Sequence, residues 1–462
     1  MFYWLRRTIF ARKLVVDHRS IEDSLFSLEI PLPAGFGFGG GGLDSGQQSA
    51  ICGFCPQDNG FFYQMFVIII IQTIFNAMLG FFLYTIVVEP QAKLKESRHH
   101  GESIENKSRE KNVSGNPTDL LSQSLLFAFG IALPFVFLEG EYIVRALEIH
   151  NLGLVMVLLA TPIVNSLRIM EAVFGFTPYP ARRSLRNFVI YFSSTQSIDF
   201  DRVSGDPKQV SLRFFGKRLA TLARDFAINC ALFSILKPFN YEPFETNREV
   251  HSMDRDLTDL FSWQHLFNNY LIALLISSTV SQGTIGVSLL FNIFYGCQTS
   301  EIMLNPMVRS KSPSDFWGRR WNTLVHEGLK NGVYKPIRKH SSSRIIAVAG
   351  SFVVSGIIHE YVNFVMFRET MRATDGAKTS YLVEWKQMLF FGWNGILIAL
   401  EYSIGHWSIF KWISKSIPQI LVTALVICSA LPLAHFFTGD WIRHGYFDSV
   451  YIGEPVILCR YV

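Results

Sequence analysis

Residues 61–88 form an unbroken stretch of 28 residues without a single charge. At 1.5 Å of rise per residue, a helix of that length exceeds the roughly 30 Å hydrocarbon core of a bilayer, so it spans with tilt or overhang. It is too long and too far from Met1 for a cleaved signal. Further apolar runs follow at 120–138, 149–167, 219–236 (interrupted by Arg224 and Asp225), 260–300, 345–367 (interrupted by Glu360), 387–410 (interrupted by Glu401) and 416–439. The 41 residues of 260–300 suffice for two spans turning at Ser281, Gln282 and Gly283, or for one span plus an interfacial helix. The expectation is an all-α integral membrane protein with eight or nine spans.

Composition agrees with that class. Only 17% of the 462 residues are charged and 49% are hydrophobic, with 41 Phe, whereas a soluble domain carries about 25% charged residues. Disorder, collagen and coiled coil are excluded. The formal net charge of +5 is small for this length and implies no nucleic-acid partner. Six Cys are scattered, and the one Cys-x-x-Cys pair, Cys52 and Cys55, has no second pair to complete a metal site, so no metal is expected.

The chain divides into a poorly ordered N-terminal extension (1–60), a membrane-embedded domain (61–440) and a C-terminal tail (441–462). Within the domain, 89–119 reads as a charged linker and 305–344 as a basic loop. Cytoplasmic loops retain Lys and Arg. The loop 169–218 holds eight basic residues, and 305–344 holds nine against two acids, Asp315 and Glu327. Both therefore read as cytoplasmic, which is consistent only if 260–300 crosses once or is partly re-entrant.

Two segments carry chemistry. The basic loop contains Ser314-Asp315-Phe316-Trp317-Gly318-Arg319-Arg320-Trp321-Asn322. Ser314 or Asp315 can cap a short helix there, Trp317 and Trp321 share a face at i, i+4, and Asp315 can pair with Arg319. An interfacial amphipathic helix would use the same residue types. The second segment is the run 345–367, where Ser351, Ser355, His359 and Asn363 recur every four residues as one polar stripe, with Glu360 about 100° away. Ionisable groups at membrane depth normally face a bundle interior or an aqueous cavity, so His359 with Glu360 marks either a functional site or a hydrogen-bonded packing contact.

These two blocks, the nine residues ending at Asn322 and Ser355-Gly356-Ile357-Ile358-His359-Glu360, resemble the signature pair of the wax synthase branch of the membrane-bound O-acyltransferases. The pattern of spans agrees over roughly residues 61–440. The resemblance implies a helical bundle around a catalytic chamber, with His359 as the catalytic histidine and Asn322 as the second signature polar residue. His326 is not part of that pattern and reads as a solvated loop residue.

The chemistry suits the residue types. A neutral imidazole, with an ordinary pKa of about 6.5, can take the proton of an alcohol nucleophile, while Asn322 donates a hydrogen bond to a thioester carbonyl as charge develops. No acyl-enzyme and no resident cofactor is required; acyl-CoA is the co-substrate. Arg319 and Arg320 carry charge suited to the CoA phosphates, though a positive-inside loop is basic regardless of ligand. Trp317 and Trp321 either line the CoA entrance or anchor the helix, and Glu360, Ser355 and Asn363 support His359.

The expected function is acyl transfer from acyl-CoA to a long-chain fatty alcohol in the endoplasmic reticulum membrane, with diacylglycerol or sterol as alternative acceptors. The rival class is a transporter using His359, Glu360 and Asp225 as a proton path, but no internal repeat of broken helices is visible. For Glu401, His265 and His435 no partner can be named, and a place near the ends of spans would suffice.

Overall fold

The computed structural model describes residues 60–101, 117–146, 149, 151–244, 259–375, 385–405, 407 and 416–450, together with four two-residue strands. Pro31–Leu32 pairs with Arg460–Tyr461 and Cys52–Gly53 with Val456–Ile457. The expected N-terminal extension otherwise lies outside the described residues, as does Cys55.

Apart from these strands the described residues form a helical membrane bundle. Six helical stretches are long and apolar enough to cross a bilayer: Met65–Glu96, Asp119–Ala146, Leu152–Val173, Leu212–Leu236, Trp263–Tyr295 and Arg344–Arg368. A bent pair, Gln419–Leu433 and His435–Arg443, meets at 61° and makes a seventh if taken as one span. Among the described residues the count is therefore six or seven, against the eight or nine expected. One reason is that 260–300 forms a single helix, and another is that the run from 387 carries Gln387, Asn394 and Glu401 on a 19-residue helix, Lys386–Ile404.

The first span is α1 (Gly60–Leu83), a π turn at Tyr84–Val88, and α2 (Glu89–Gly101). The charged stretch from Glu89 thus begins as a continuation of the helix and not as a linker. The second span is α3 (Pro117–Phe127), a π turn at Ala128–Ala132, and α4 (Leu133–Ala146). Residues of both wider turns, Val87, Val88, Ala128 and Ala132, are buried in one apolar cluster with Ile169, Ala172 and Phe188.

The third span, α5 (Leu152–Val173), is enclosed on nearly every side. Asn151 starts it by accepting the Leu154 N–H at 3.0 Å. It binds α1 through polar rungs: Gln72 donates to the Leu158 carbonyl and accepts from Thr161, while Asn165 donates to Asn76. Because Gln72/Asn76 and Thr161/Asn165 are both i, i+4 pairs, each falls on the facing stripe of its helix. Ile70, Ile74 and Met78 on the opposite side of α1 are exposed. In lipid, where apolar contact gives helices no preference for one another, such rungs select the partner at about 0.6 kcal/mol each.

An amphipathic helix α6 (Leu185–Ser193) precedes α7 (Leu212–Leu236) and α8 (Trp263–Tyr295). Ser262 caps α8 and Gly296, at φ 64°, ends it. Arg224 ion-pairs with Asp225, whose other carboxylate oxygen accepts from Ser281 on α8. Short bridges Ile198↔Thr299 and Gln209↔Cys297 tie the loop before α7 to the chain leaving α8. The two basic loops therefore share one end of the bundle.

After a segment of short turns come α9 (Thr323–Leu329), α10 (Arg344–Asp375), α11 (Lys386–Ile404), α12 (Gln419–Ala430) and α13 (His435–Arg443). The bend between α12 and α13 is fastened from α8: Asn269 donates to the Leu431 carbonyl, and His265 contacts the Pro432 carbonyl at 3.2 Å. Both His265 and His435 are buried, so neither snorkels at a span end. Trp441, Tyr446 and Phe447 are buried in the main apolar core, so the expected tail is core packing as far as residue 450.

Candidate active site

The signature segment folds as a chain of tight turns. Ser312, not Ser314 or Asp315, caps the first one by accepting the Asp315 N–H. Phe316–Arg320 then forms a π turn, closed by Trp321 N–H donating to the Phe316 carbonyl at 2.9 Å. The π geometry pairs residues five apart, which changes the expected partner of Asp315. Its carboxylate binds Arg320 at 2.7 Å instead of Arg319 and also accepts the Lys311 N–H. Burial pushes the Asp315 carboxyl up, but the Arg320 hydrogen bond, the Lys311 N–H and the nearby cationic charges prevail and hold it below its usual value.

Trp321 leaves this turn extended and Asn322 follows in the left-handed region, at φ 43°. Asn tolerates that conformation better than most residues. There it caps α9, its Oδ1 accepting the Val325 N–H at 3.2 Å. With Oδ1 engaged, Nδ2 makes no hydrogen bond among the described residues and remains a free donor.

Opposite this segment stands α10. His359 Nδ1 lies 2.7 Å from the carbonyl oxygen of Ser355, one turn earlier. A carbonyl only accepts, so Nδ1 carries the proton and Nε2 presents its lone pair in the neutral ring. Phe391, at 4.3 Å between ring centres, and Phe437, at 5.5 Å, fix the plane of the imidazole. Gly356 lies where α10 and α11 pack closely near Phe391: a Cβ there would lie 2.4 Å from Met388 Sδ and 3.2 Å from its Cα, so a larger residue would displace the Met388 side chain.

These parts enclose a cavity of about 440 Å³, lined among others by Ser351, Ser355, His359, Trp317, Arg319, Trp321, Asn322, His326, Lys330, Phe391 and Asn394. Asn322 and His359 thus face one chamber. Of the remaining residues singled out in the sequence, three lie elsewhere. Asn363 is buried and accepts the Trp441 indole N–H. Glu360 turns to the start of α11, accepting the Met388 N–H. Arg320 is held by Asp315 and does not line the cavity. Arg319 is exposed and makes no ion pair among the described residues, and Lys330 joins it on the lining.

Three residues escaped sequence reasoning. His326 is half-buried: it lines the cavity beside Gly318, and burial first, then the Lys330 charge, pushes its imidazole down to about 4. Its place one turn beyond Asn322 on a capped helix was the available signal. Asn394 accepts the Trp317 indole N–H at 3.0 Å, and Glu401 accepts both the N–H and the hydroxyl of Ser314 at 2.7 Å. Both belong to α11, on which steps of four and three align Gln387, Phe391, Asn394, Ile398 and Glu401. Among the described residues, no group of three His, Cys, Asp or Glu is arranged to hold a metal ion.

Residues 301–392, which contain Asn322, His359 and the wall between them, match the membrane bound O-acyl transferase family. Curated proteins of Arabidopsis thaliana are similar over longer stretches. Acyl-CoA–sterol O-acyltransferase 1 is 36% identical over 138 residues, 28% of this chain and 36% of that protein. Probable long-chain-alcohol O-fatty-acyltransferases 6 and 9 are 29% and 27% identical over 206 and 215 residues, covering 42% and 44% of this chain and 55% and 54% of those proteins. The chain spans between about a third and just over half of the length of these relatives. The segment that matches the membrane bound O-acyl transferase family holds both polar residues of the chamber and sits in a bundle whose helices are long and apolar enough to cross a bilayer.

Proposed function

We propose that the protein transfers a fatty acyl group from acyl-CoA to the hydroxyl of a lipid alcohol, with a long-chain fatty alcohol as acceptor and a wax ester as product. The observation that carries this reading is the shared chamber of His359 and Asn322, in which Nε2 of the one and Nδ2 of the other are both left unengaged by the protein. The names of the similar long-chain-alcohol O-fatty-acyltransferases favour the same acceptor class.

In this mechanism His359 Nε2 removes the proton of the acceptor hydroxyl as its oxygen attacks the thioester carbonyl. Asn322 Nδ2 donates to the carbonyl oxygen while negative charge gathers there. The C–S bond then breaks, and the leaving thiolate takes the proton back from the imidazolium, so the ring returns to its starting state. No acyl-enzyme and no resident cofactor enters the cycle. Arg319 and Lys330 provide charge for the CoA phosphates at the cavity lining, while Trp317 and Trp321 give the apolar surface along which the thioester lies. The setting is the endoplasmic reticulum membrane, with the basic loops on the cytoplasmic side where acyl-CoA is found.

A sterol acceptor is the second reading, favoured by the similarity to acyl-CoA–sterol O-acyltransferase 1. Purified protein given labelled acyl-CoA with a panel of fatty alcohols, diacylglycerol and sterol separates the acceptors. Wax ester formation that disappears in His359→Ala is the expected result, and transfer undiminished in that variant overturns the mechanism.

A further inference from the structure

We propose that Glu401 is a positioning residue for this reaction, an inference that rests on the acyl-transfer reading above. Glu401 lies outside the cavity lining, yet its two carboxylate oxygens take the N–H and the hydroxyl of Ser314, each at 2.7 Å. Ser314 itself lines the cavity and lies in the first of the turns that end at Asn322. Two turns back along α11, Asn394 holds the Trp317 indole, and one turn further Phe391 rests on the His359 ring.

One face of α11 therefore touches both halves of the site. Glu401 and Asn394 grip the signature turns at two points, and Phe391 sets the imidazole. The helix acts as a ruler between Asn322 and His359, two residues that share no direct hydrogen bond. Glu401 is the outer grip. Without it the only hydrogen bond from α11 to these turns, among the described residues, is that of Asn394 to Trp317. Although the Leu304 N–H on the Arg320 carbonyl and Thr423 on the Ser310 carbonyl still hold the flanks, the first turn can shift between them and move Asn322 relative to the reacting carbonyl. A displacement near 1 Å at a reacting centre is enough for a loss of about 10²-fold.

The side-chain chemistry distinguishes a grip from a mere charge. In Glu401→Gln the amide oxygen still accepts the Ser314 N–H, while the amide N–H donates to the Ser314 hydroxyl, so both links survive. In Glu401→Leu neither does.

The test measures kcat and KM for acyl-CoA in the purified full chain, together with amide hydrogen exchange of residues 312–322. Glu401→Leu is expected to lower kcat by up to about 10²-fold with little change in KM, and to speed exchange in that segment but not in α5. Glu401→Gln should keep both values near wild type. Should the Leu variant fail to fold, Ser314→Ala removes the hydroxyl link from the other side and should show the same kcat loss in smaller measure. Unaltered kcat or exchange in Glu401→Leu, or a Gln variant as impaired as Leu, overturns the positioning role alone. A wild-type chain that transfers no acyl group to any acceptor overturns the acyl-transfer reading as well.

Discussion

His359 Nδ1 donates to the carbonyl oxygen of Ser355 at 2.7 Å within one helix, so the tautomer of the ring is chosen by the backbone that carries it. The choice needs no carboxylate partner, and it leaves Nε2 as the basic atom wherever the chamber admits a hydroxyl. His359→Ala is therefore expected to lower kcat by about 10² to 10⁴ while the protein remains in membranes at its normal level. Turnover by labelled acyl-CoA transfer checks this, and a near-normal rate rejects the general-base role.

Asn322 performs two tasks that Asp can separate. Asn322→Asp retains the oxygen that caps α9 through the Val325 N–H but has no amide N–H to offer the carbonyl. The variant should unfold close to the wild-type temperature yet lose about 10²- to 10³-fold in kcat. Equal loss of thermal stability and activity would show that the cap, not the donor, matters.

The two adjacent arginines should behave differently. Arg320→Ala strips the ion-pair partner from the buried Asp315 carboxylate, at a stability cost of roughly 1–3 kcal/mol. Arg319→Ala removes a cation that has no protein partner among the described residues, and should raise KM for acyl-CoA with little effect on stability. Denaturation of the solubilised variants beside acyl-CoA titrations checks both, and the reverse pattern would contradict the π-turn pairing.

Gly356→Ala introduces a methyl that meets Met388 at Sδ and, at 3.2 Å, at its backbone Cα. The sulfur end can move aside, while the Met388 backbone would have to give by a few tenths of an ångström, which loosens the packing of α10 on α11. Overpacking of this kind costs roughly 1–3 kcal/mol, and it should also weaken the Glu360 link to the Met388 N–H. A melting curve identical to wild type would refute the close approach.

His326 gives the fold a pH dependence. Its imidazole is pushed down to about 4 from the ordinary 6.5, by burial first and then by Lys330. Between those values the unfolded chain binds the proton and the folded chain does not, so the contribution of this group is full above about 6.5 and is lost as pH falls towards 4. His326→Phe should flatten that part of the stability profile. An unchanged slope between pH 6.5 and 4 in the variant would sink the assignment.

The membrane character and both polar residues of the chamber were legible because each is local: an uncharged run of sufficient length, a Trp-Arg-Asn cluster, a histidine in a greasy helix. What could not be read depends on relations between distant segments. Glu401 and Asn394 look like interruptions of an apolar run until the signature turns are seen against them. Arg320, not Arg319, meets Asp315 because the backbone takes one extra residue in that turn, and no spacing rule for an ordinary helix contains that residue. The span count among the described residues differs at α11, whose buried face carries Gln387 and Asn394 while Leu389, Ile396 and Leu400 on the other side are exposed.

The uninterrupted course of Trp263–Tyr295 reaches beyond topology. Since the bridges at Thr299 and Cys297 stitch its far end to the stretch before Leu212, any reagent too polar to pass a bilayer meets both positively charged regions from the same compartment, or reaches neither of them.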